Sequence, residues 1–180
     1  VELEGTFPLP EAQLDRFLMH VRIDYPDAAA EQAILRLARG EARQEKTQVL
    51  GARVDGHPAS PLSQLTIFAA REEILDLYMA ENIETYLLEI VLATRNPGRY
   101  DAALAKWLQF GASPRASIAL DACARAHAWL DGRDFVAPED IQTMAFDVLR
   151  HRVLLSYEAE ADGMTPDRFV EQLLARIAVP

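Results

Sequence analysis

One cysteine, Cys123, stands in 180 residues, which excludes an internal disulfide framework and a cysteine-based metal site within one chain. Its setting among alanines on a helical face marks a packed thiol. Positive charge is scarce as well: 18 lysines and arginines oppose 28 aspartates and glutamates, a formal net charge of -10. General binders of nucleic acid or anionic membranes neutralise phosphates with clustered Lys and Arg, so both classes are excluded, and a phosphate partner must be small and held locally. No apolar run is long enough to span a bilayer, and Val1-Glu2-Leu3-Glu4 is no signal peptide, so a cytoplasmic protein is expected. The G-x-x-x-x-G-K-[ST] loop, the G-x-G-x-x-G turn, the G-x-S-x-G elbow and the H-E-x-x-H helix are all missing. The chain therefore holds no self-contained catalytic constellation. His20, His57, His127 and His151 lack metal-ligand spacing, and no metal site is expected.

What is present is ordinary globular composition, 50% hydrophobic and 26% charged, arranged mostly with helical periodicity. Pro10 and Glu11 open a short helix to about Arg16, followed by Phe17, Met19, Val21 and Ile23 alternating with Leu18, His20 and Arg22 in a strand pattern. Tyr25-Pro26-Asp27 ends that strand and caps a helix to about Arg39. Residues 40–65, with three glycines and two prolines, read as loop with a short strand over Gln48 to Val54. Helices are expected from Ala69 to Tyr78 and from Ile83 to Thr94, where Asn96-Pro97-Gly98 stops the chain. A linker holding Trp107 and Phe110 leads to a helix from Ser113 to Leu130, whose alanines imply close helix contact. Asp131-Gly132 ends it, and Pro138-Glu139-Asp140 starts another through Ile141, Met144, Ala145, Val148 and Leu149. His151 to Ser156 looks extended, Glu158, Glu160 and Asp162 form a solvated face, and a last helix runs from about Asp167 to Ile177. A lone strand cannot be stable by itself, so Phe17 to Ile23 is expected at the edge of a sheet whose other strands lie outside this sequence.

The most informative segment is Gly111-Ala112-Ser113-Pro114-Arg115-Ala116. Ser113 is a good N-cap and Pro114 is at home in the first helical position. A helix start attracts anions and mildly repels a guanidinium, so Arg115 is either aimed at something negative or satisfied by a nearby carboxylate or the surface. Arg16, at the end of a short helix, sits where a cation is unremarkable.

Three runs resemble the C-terminal part of MoxR-type AAA+ ATPases: Glu4-Gly5-Thr6-Phe7-Pro8-Leu9-Pro10-Glu11-Ala12-Gln13-Leu14-Asp15-Arg16-Phe17, the hexad at 111–116, and Asp131-Gly132-Arg133-Asp134-Phe135-Val136-Ala137-Pro138-Glu139-Asp140-Ile141. Val148-Leu149-Arg150-His151-Arg152 fits the same pattern, whereas residues 44–68 match poorly. The resemblance implies a mainly α fold: residues 1–25 as the end of an αβα core, with one helix and the last strand, and residues 26–180 as a connecting helix and helical lid. It places Arg16 at the arginine finger offered in trans to a neighbouring subunit's γ-phosphate. Ser113, Pro114 and Arg115 fall at the sensor 2 position, which touches nucleotide phosphate. Both roles need a permanent charge with a planar donor fork. ATP or ADP with Mg, a homo-hexamer, von Willebrand factor A-type partners and a client protein complex are implied for the full-length parent. This segment, lacking the phosphate loop, should be inactive alone. The magnesium chelatase ATPase subunit shares the Ser-Pro-Arg signature and is the related alternative; a stand-alone helical interaction module is the unrelated one.

Overall fold

The computed structural model describes residues 9–49 and 62–180, with side chains from 44 to 49 set aside. Contacts divide the chain into two compact units, one running up to Val21 and resuming at Phe68, the other Arg22–Ile67. The smaller unit is dominated by α2 (Ala28–Val49), whose N-terminus is capped by the Asp27 carboxylate accepting from the Ala30 N–H at 2.7 Å. This helix runs ten residues beyond Arg39, through a segment expected to be loop. Gly40 costs a helix about 1 kcal/mol, but Glu41, Ala42, Arg43, Gln44, Glu45 and Lys46 are strong helix formers and carry it on. Of the short strand expected over Gln48 to Val54, Gln48 and Val49 end α2 and the remainder lies outside the described residues. α3 (Gln64–Asp76) starts five residues before Ala69 because Ser63 caps it, its Oγ accepting from Thr66 N–H at 3.1 Å.

The larger unit contains α1 (Glu11–Leu14), α4 (Glu81–Ala93), α5 (Ala102–Trp107), α6 (Pro114–Leu130), α7 (Pro138–Leu149), α8 (Tyr157–Ala161) and α9 (Pro166–Leu174), with a 3-10 turn at Pro97–Arg99. β1 (Leu108–Phe110) and β2 (Leu154–Leu155) pair antiparallel, Leu108 opposite Leu155. The region expected as a linker around Trp107 thus holds a helix and a strand. Asp101 caps that helix, accepting from Ala103 N–H at 2.8 Å, and also holds Arg176 at 2.6 Å. The fold is mainly α, as expected, but Phe17–Ile23 forms no strand. Its apolar alternation is left in the open, with Phe17 and Val21 each 55% exposed and Ile23 92%, and its backbone bonds go elsewhere. No described strand lies beside it.

α6 and α7 make the most extensive helix contact, with Ala116, Ala119, Ala124 and Ala128 of α6 and Ala145 of α7 all buried. Small side chains let the axes approach closely, while Tyr86, Ile90, Leu104, Leu120, Ile141, Leu149 and Phe169 fill the remaining volume. Cys123 is buried on the same helix, and burial raises its thiol pKa.

The α6–α7 connection is fixed at both ends. At the end of α6, Gly132 takes φ +74°, its N–H reaches Trp129 O at 2.9 Å, and Arg133 N–H reaches Ala128 O at 3.0 Å, a Schellman arrangement. That turn delivers Arg133 to Asp140 in the first turn of α7. The fully buried Asp140 carboxylate receives both Arg133 Nη groups, the Ala137 N–H at 2.8 Å and His127 Nδ1 at 2.6 Å. Burial pushes the Asp140 pKa upward, but these partners prevail and hold it at about 2, against an ordinary 3.8. His127, Asp131 and Asp140 bring ligand atoms within 4.8 Å of one another, a juxtaposition that histidine spacing in the sequence does not show. Arg133 already bridges both acids, which makes this a structural clasp.

Asp140→Ala should lower unfolding free energy by about 2 kcal/mol, read by denaturant titration, because it removes the buried acceptor of the Ala137 N–H and of the His127 and Arg133 side chains. The lowered pKa also means that Asp140 contributes its full stability above pH 3.8 and loses it as pH falls toward 2, so the variant should show a shallower acid transition.

Candidate functional site

The hexad is built into the core from its first residue. A Cβ on Gly111 would sit 2.1 Å from Thr94 O and 2.6 Å from Thr94 C, so only glycine lets this strand end pass against the end of α4. Buried Thr94 accepts from Ala112 N–H through Oγ1 at 3.0 Å, and Arg95 Nε donates to Ala112 O at 2.8 Å. These contacts fix where α6 begins. Ser113 then acts as N-cap, accepting from Arg115 N–H at 3.1 Å, Pro114 opens the helix, and Ala116 is fully buried.

The Ser113 hydroxyl faces a carboxylate 98 positions earlier in the chain, with Oγ 2.9 and 2.8 Å from the two oxygens of Asp15. Asp15 is the C-cap residue of α1 and precedes Arg16. Arg115 Nε lies 3.7 Å from the same carboxylate, with 58% of the side chain exposed. Such a pair is worth under about 1 kcal/mol and leaves the guanidinium largely available. The satisfied alternative allowed for Arg115 is therefore realised only loosely. Arg16 is exposed, and among the described residues its side chain has no partner. Of the two arginines singled out from the sequence, Arg115 pairs loosely with Asp15, and Arg16 follows Asp15 in the chain with its side chain turned to solvent.

Beneath them is a third arginine. Arg152, at 2% side-chain exposure, places Nε 3.2 Å from Asp15 Oδ1, Nη2 on the carbonyls of Asp15 and Phe17, and Nη1 on those of Leu18 and Val148. Burial lowers its pKa from the ordinary arginine value, and Asp15 opposes that shift. On either side, Arg150 Nη1 donates to His20 O at 2.8 Å and His151 Nε2 to Phe17 O at 3.3 Å, while His20 N–H reaches Asp147 O at 2.8 Å. Side chains of Arg150, His151 and Arg152 therefore hold the carbonyls of Asp15, Phe17, Leu18 and His20 against the end of α7. An open cleft of about 890 Å³ runs over this seam, lined by Asp15, Gly111, Ser113, His151, Arg152 and their neighbours.

Sequence reasoning found Arg16, Ser113 and Arg115 but missed Asp15 and Arg152 as working parts. Three basic residues just after a helix look like ordinary C-terminal charge compensation, so Arg150-His151-Arg152 carried no separate signal. The one available cue was that these cations follow the most apolar face of α7 and so begin inside the core.

His151 has a further property. Because Nε2 faces a carbonyl, it must be the donor, which leaves Nδ1 as a bare lone pair, buried and without a partner. A second proton would have no acceptor. Burial, with the neighbouring Arg152 charge, accordingly lowers the His151 pKa below the ordinary 6.5.

Residues 101–173 match the AAA lid domain. Over its whole length the chain is 36% identical to the chaperone MoxR1 of Mycobacterium tuberculosis, covering 45% of that protein, and 38% identical to YeaC of Bacillus subtilis, an uncharacterised protein, covering 50%. It is 33% identical to MoxR of Paracoccus denitrificans, covering 53%. The crystal structure of a candidate ATPase from Cytophaga hutchinsonii superposes with a TM-score of 0.85 at 36% identity, over 100% of this chain and 52% of that one. The chain carries the lid of an AAA+ ATPase. More narrowly, it belongs to the MoxR-type family and spans about half the length of the curated relatives it matches.

Gly111→Ala should destabilise the larger unit by about 2 kcal/mol in denaturant titration, since backbone atoms on the facing helix cannot yield to the new methyl. The His151 shift sets the sign of a pH effect. Below pH 6.5 the unfolded chain binds a proton that the folded chain resists, so stability is complete above 6.5 and falls as pH drops below it. Thermal midpoints measured from pH 8 to 5.5 should decline for the native sequence and flatten for His151→Gln; equal slopes would contradict this.

Proposed function

We propose that this chain is the C-terminal part of a longer MoxR-type AAA+ ATPase, in which residues 1–25 complete the nucleotide-binding core and residues 26–180 form the connecting helix and lid. The observation that carries the proposal is that Ser113 and Arg115 meet the carboxylate of Asp15, the residue next to Arg16, while the Arg16 and Arg115 guanidiniums are open to solvent. On a chain of net charge -10, two exposed arginines near one carboxylate suit a small, locally bound phosphate rather than an extended polyanion.

In this reading Arg115, in the first turn of a 17-residue helix, donates to a nucleotide phosphate at the positive end of the α6 dipole. Arg16 donates in trans to the terminal phosphate held by a neighbouring subunit of a homo-hexamer. Each fork stabilises negative charge on the transferring phosphoryl group, and neither has a proton to give at neutral pH. The Mg-ATP would be held by the part of the protein that carries the phosphate loop, whose motif is not in this sequence. Magnesium, when bound there, would offset phosphate charge, to which this chain would add the Arg16 and Arg115 guanidiniums. Hydrolysis, sensed at Arg115, would move the lid and so remodel a client protein complex together with von Willebrand factor A-type partners. MoxR1 is named as a chaperone, which supports that use. A cytoplasmic site of action fits this role, and among the described residues no helix is long and apolar enough to cross a membrane.

In the full-length protein, Arg16→Ala and Arg115→Ala should each lower kcat for ATP hydrolysis by about 10²–10³-fold. Mixing the Arg16→Ala protein with subunits that keep the finger but cannot hydrolyse should restore part of the activity, because the finger acts across an interface. Normal hydrolysis by both single variants would overturn the assignments.

A further inference from the structure

We infer that Asp15 and Arg152 are a positioning pair for ATP hydrolysis, coupling the finger arginine to the phosphate-reading arginine of the same subunit. The inference rests on the roles proposed above for Arg16 and Arg115, and adds two residues that touch neither nucleotide nor neighbour in that scheme.

Arg152 is the first part of the argument. Placing a guanidinium at 2% exposure has a desolvation cost of several kcal/mol, and stability alone is served as well by a packed apolar side chain. What the charge supplies is geometry. Its donors fix the carbonyls of Asp15, Phe17 and Leu18 to the Val148 carbonyl at the end of α7. Arg16 lies between two of those anchored residues, so its Cα is set by the lid while its side chain stays free to reach outward.

Asp15 is the second part. One carboxylate takes Arg152 Nε, the Ser113 hydroxyl and, loosely, Arg115 Nε. Ser113 is also the cap of α6, so the carboxylate grips the N-terminus of the helix that carries Arg115. When Arg115 is drawn to a phosphate, its weak pairing with Asp15 is given up and the carboxylate is left to Ser113 and Arg152. A change at the first turn of α6 is thereby transmitted to the backbone that presents Arg16. The link is short: a loose ion pair joins Arg115 to Asp15, and one peptide bond joins Asp15 to Arg16.

The test uses the full-length protein with two readouts, trypsin cleavage after Arg16 without nucleotide and steady-state ATP hydrolysis. Asp15→Asn removes the charge with little change of shape; Arg152→Lys keeps charge but loses the fork. Both should speed cleavage after Arg16 at least threefold and lower kcat at least tenfold with KM for ATP changed less than threefold. Arg152→Gln is the stronger variant; the mild Asp15→Asn keeps the test open where it fails to fold. Unchanged kcat in Asp15→Asn and Arg152→Lys, in a protein where Arg16→Ala abolishes hydrolysis, overturns the positioning role and leaves the finger assignment standing. Unchanged kcat in Arg16→Ala overturns the finger assignment and this inference together. Full activity in Arg152→Lys likewise overturns the need for a fork.

Discussion

The buried contact between Arg152 and Asp15 is the constraint on which the rest of this site depends. A guanidinium with almost no exposure must find oxygen for every donor, and here the oxygens belong to a segment more than 130 positions away in the chain. Satisfying Arg152 therefore requires residues 15–18 to lie against the end of α7. Once they do, the Asp15 carboxylate meets the cap of α6, and the start of that helix is fixed from outside as well as from within. The hexad supplies the inner half of the same constraint, since Gly111 admits the chain past Thr94 and Ala112 is held at both its N–H and its carbonyl.

Much of the helical order was legible because its signals are local. Pro114 and Pro138 stand at helix starts, Gly132 at a helix end with positive φ, and the alanines of α6 pointed to the tight contact with α7. The extension of α2 past Gly40 was hidden because the three glycines and two prolines of residues 40–65 outweighed six good helix formers in the reading. α5 and β1 were hidden because six residues and three residues are too short to show a period. The Phe17–Ile23 alternation is genuine periodicity, and the strands it was expected to join lie outside this sequence; that Arg150, His151 and Arg152 hold carbonyls there is a long-range demand that leaves no mark on the segment itself.

The candidate site was half legible on the same grounds. Arg115 is conspicuous because a cation at a helix start runs against local electrostatics, and resemblance to MoxR-type proteins drew Arg16 beside it. Asp15 was in view only as a letter in a motif, and Arg152 as one of three cations after a helix. Their importance lies wholly in which distant groups they meet. The comparisons establish the family and the lid, while the geometry adds that Arg115 and the buried Arg152 share the carboxylate of Asp15, the residue that precedes Arg16.

The central claim is that Arg16 and Arg115 read phosphate from a common base formed by Asp15 and Arg152. A structure of the full-length assembly with magnesium and a non-hydrolysable ATP analogue measures this directly. The account predicts Arg16 at the terminal phosphate of the neighbouring subunit, Arg115 withdrawn from Asp15 onto a nucleotide phosphate, and the Asp15–Arg152 contact retained. Both arginines turned away from nucleotide, or Asp15 parted from Arg152 while Arg16 stays engaged, would contradict it.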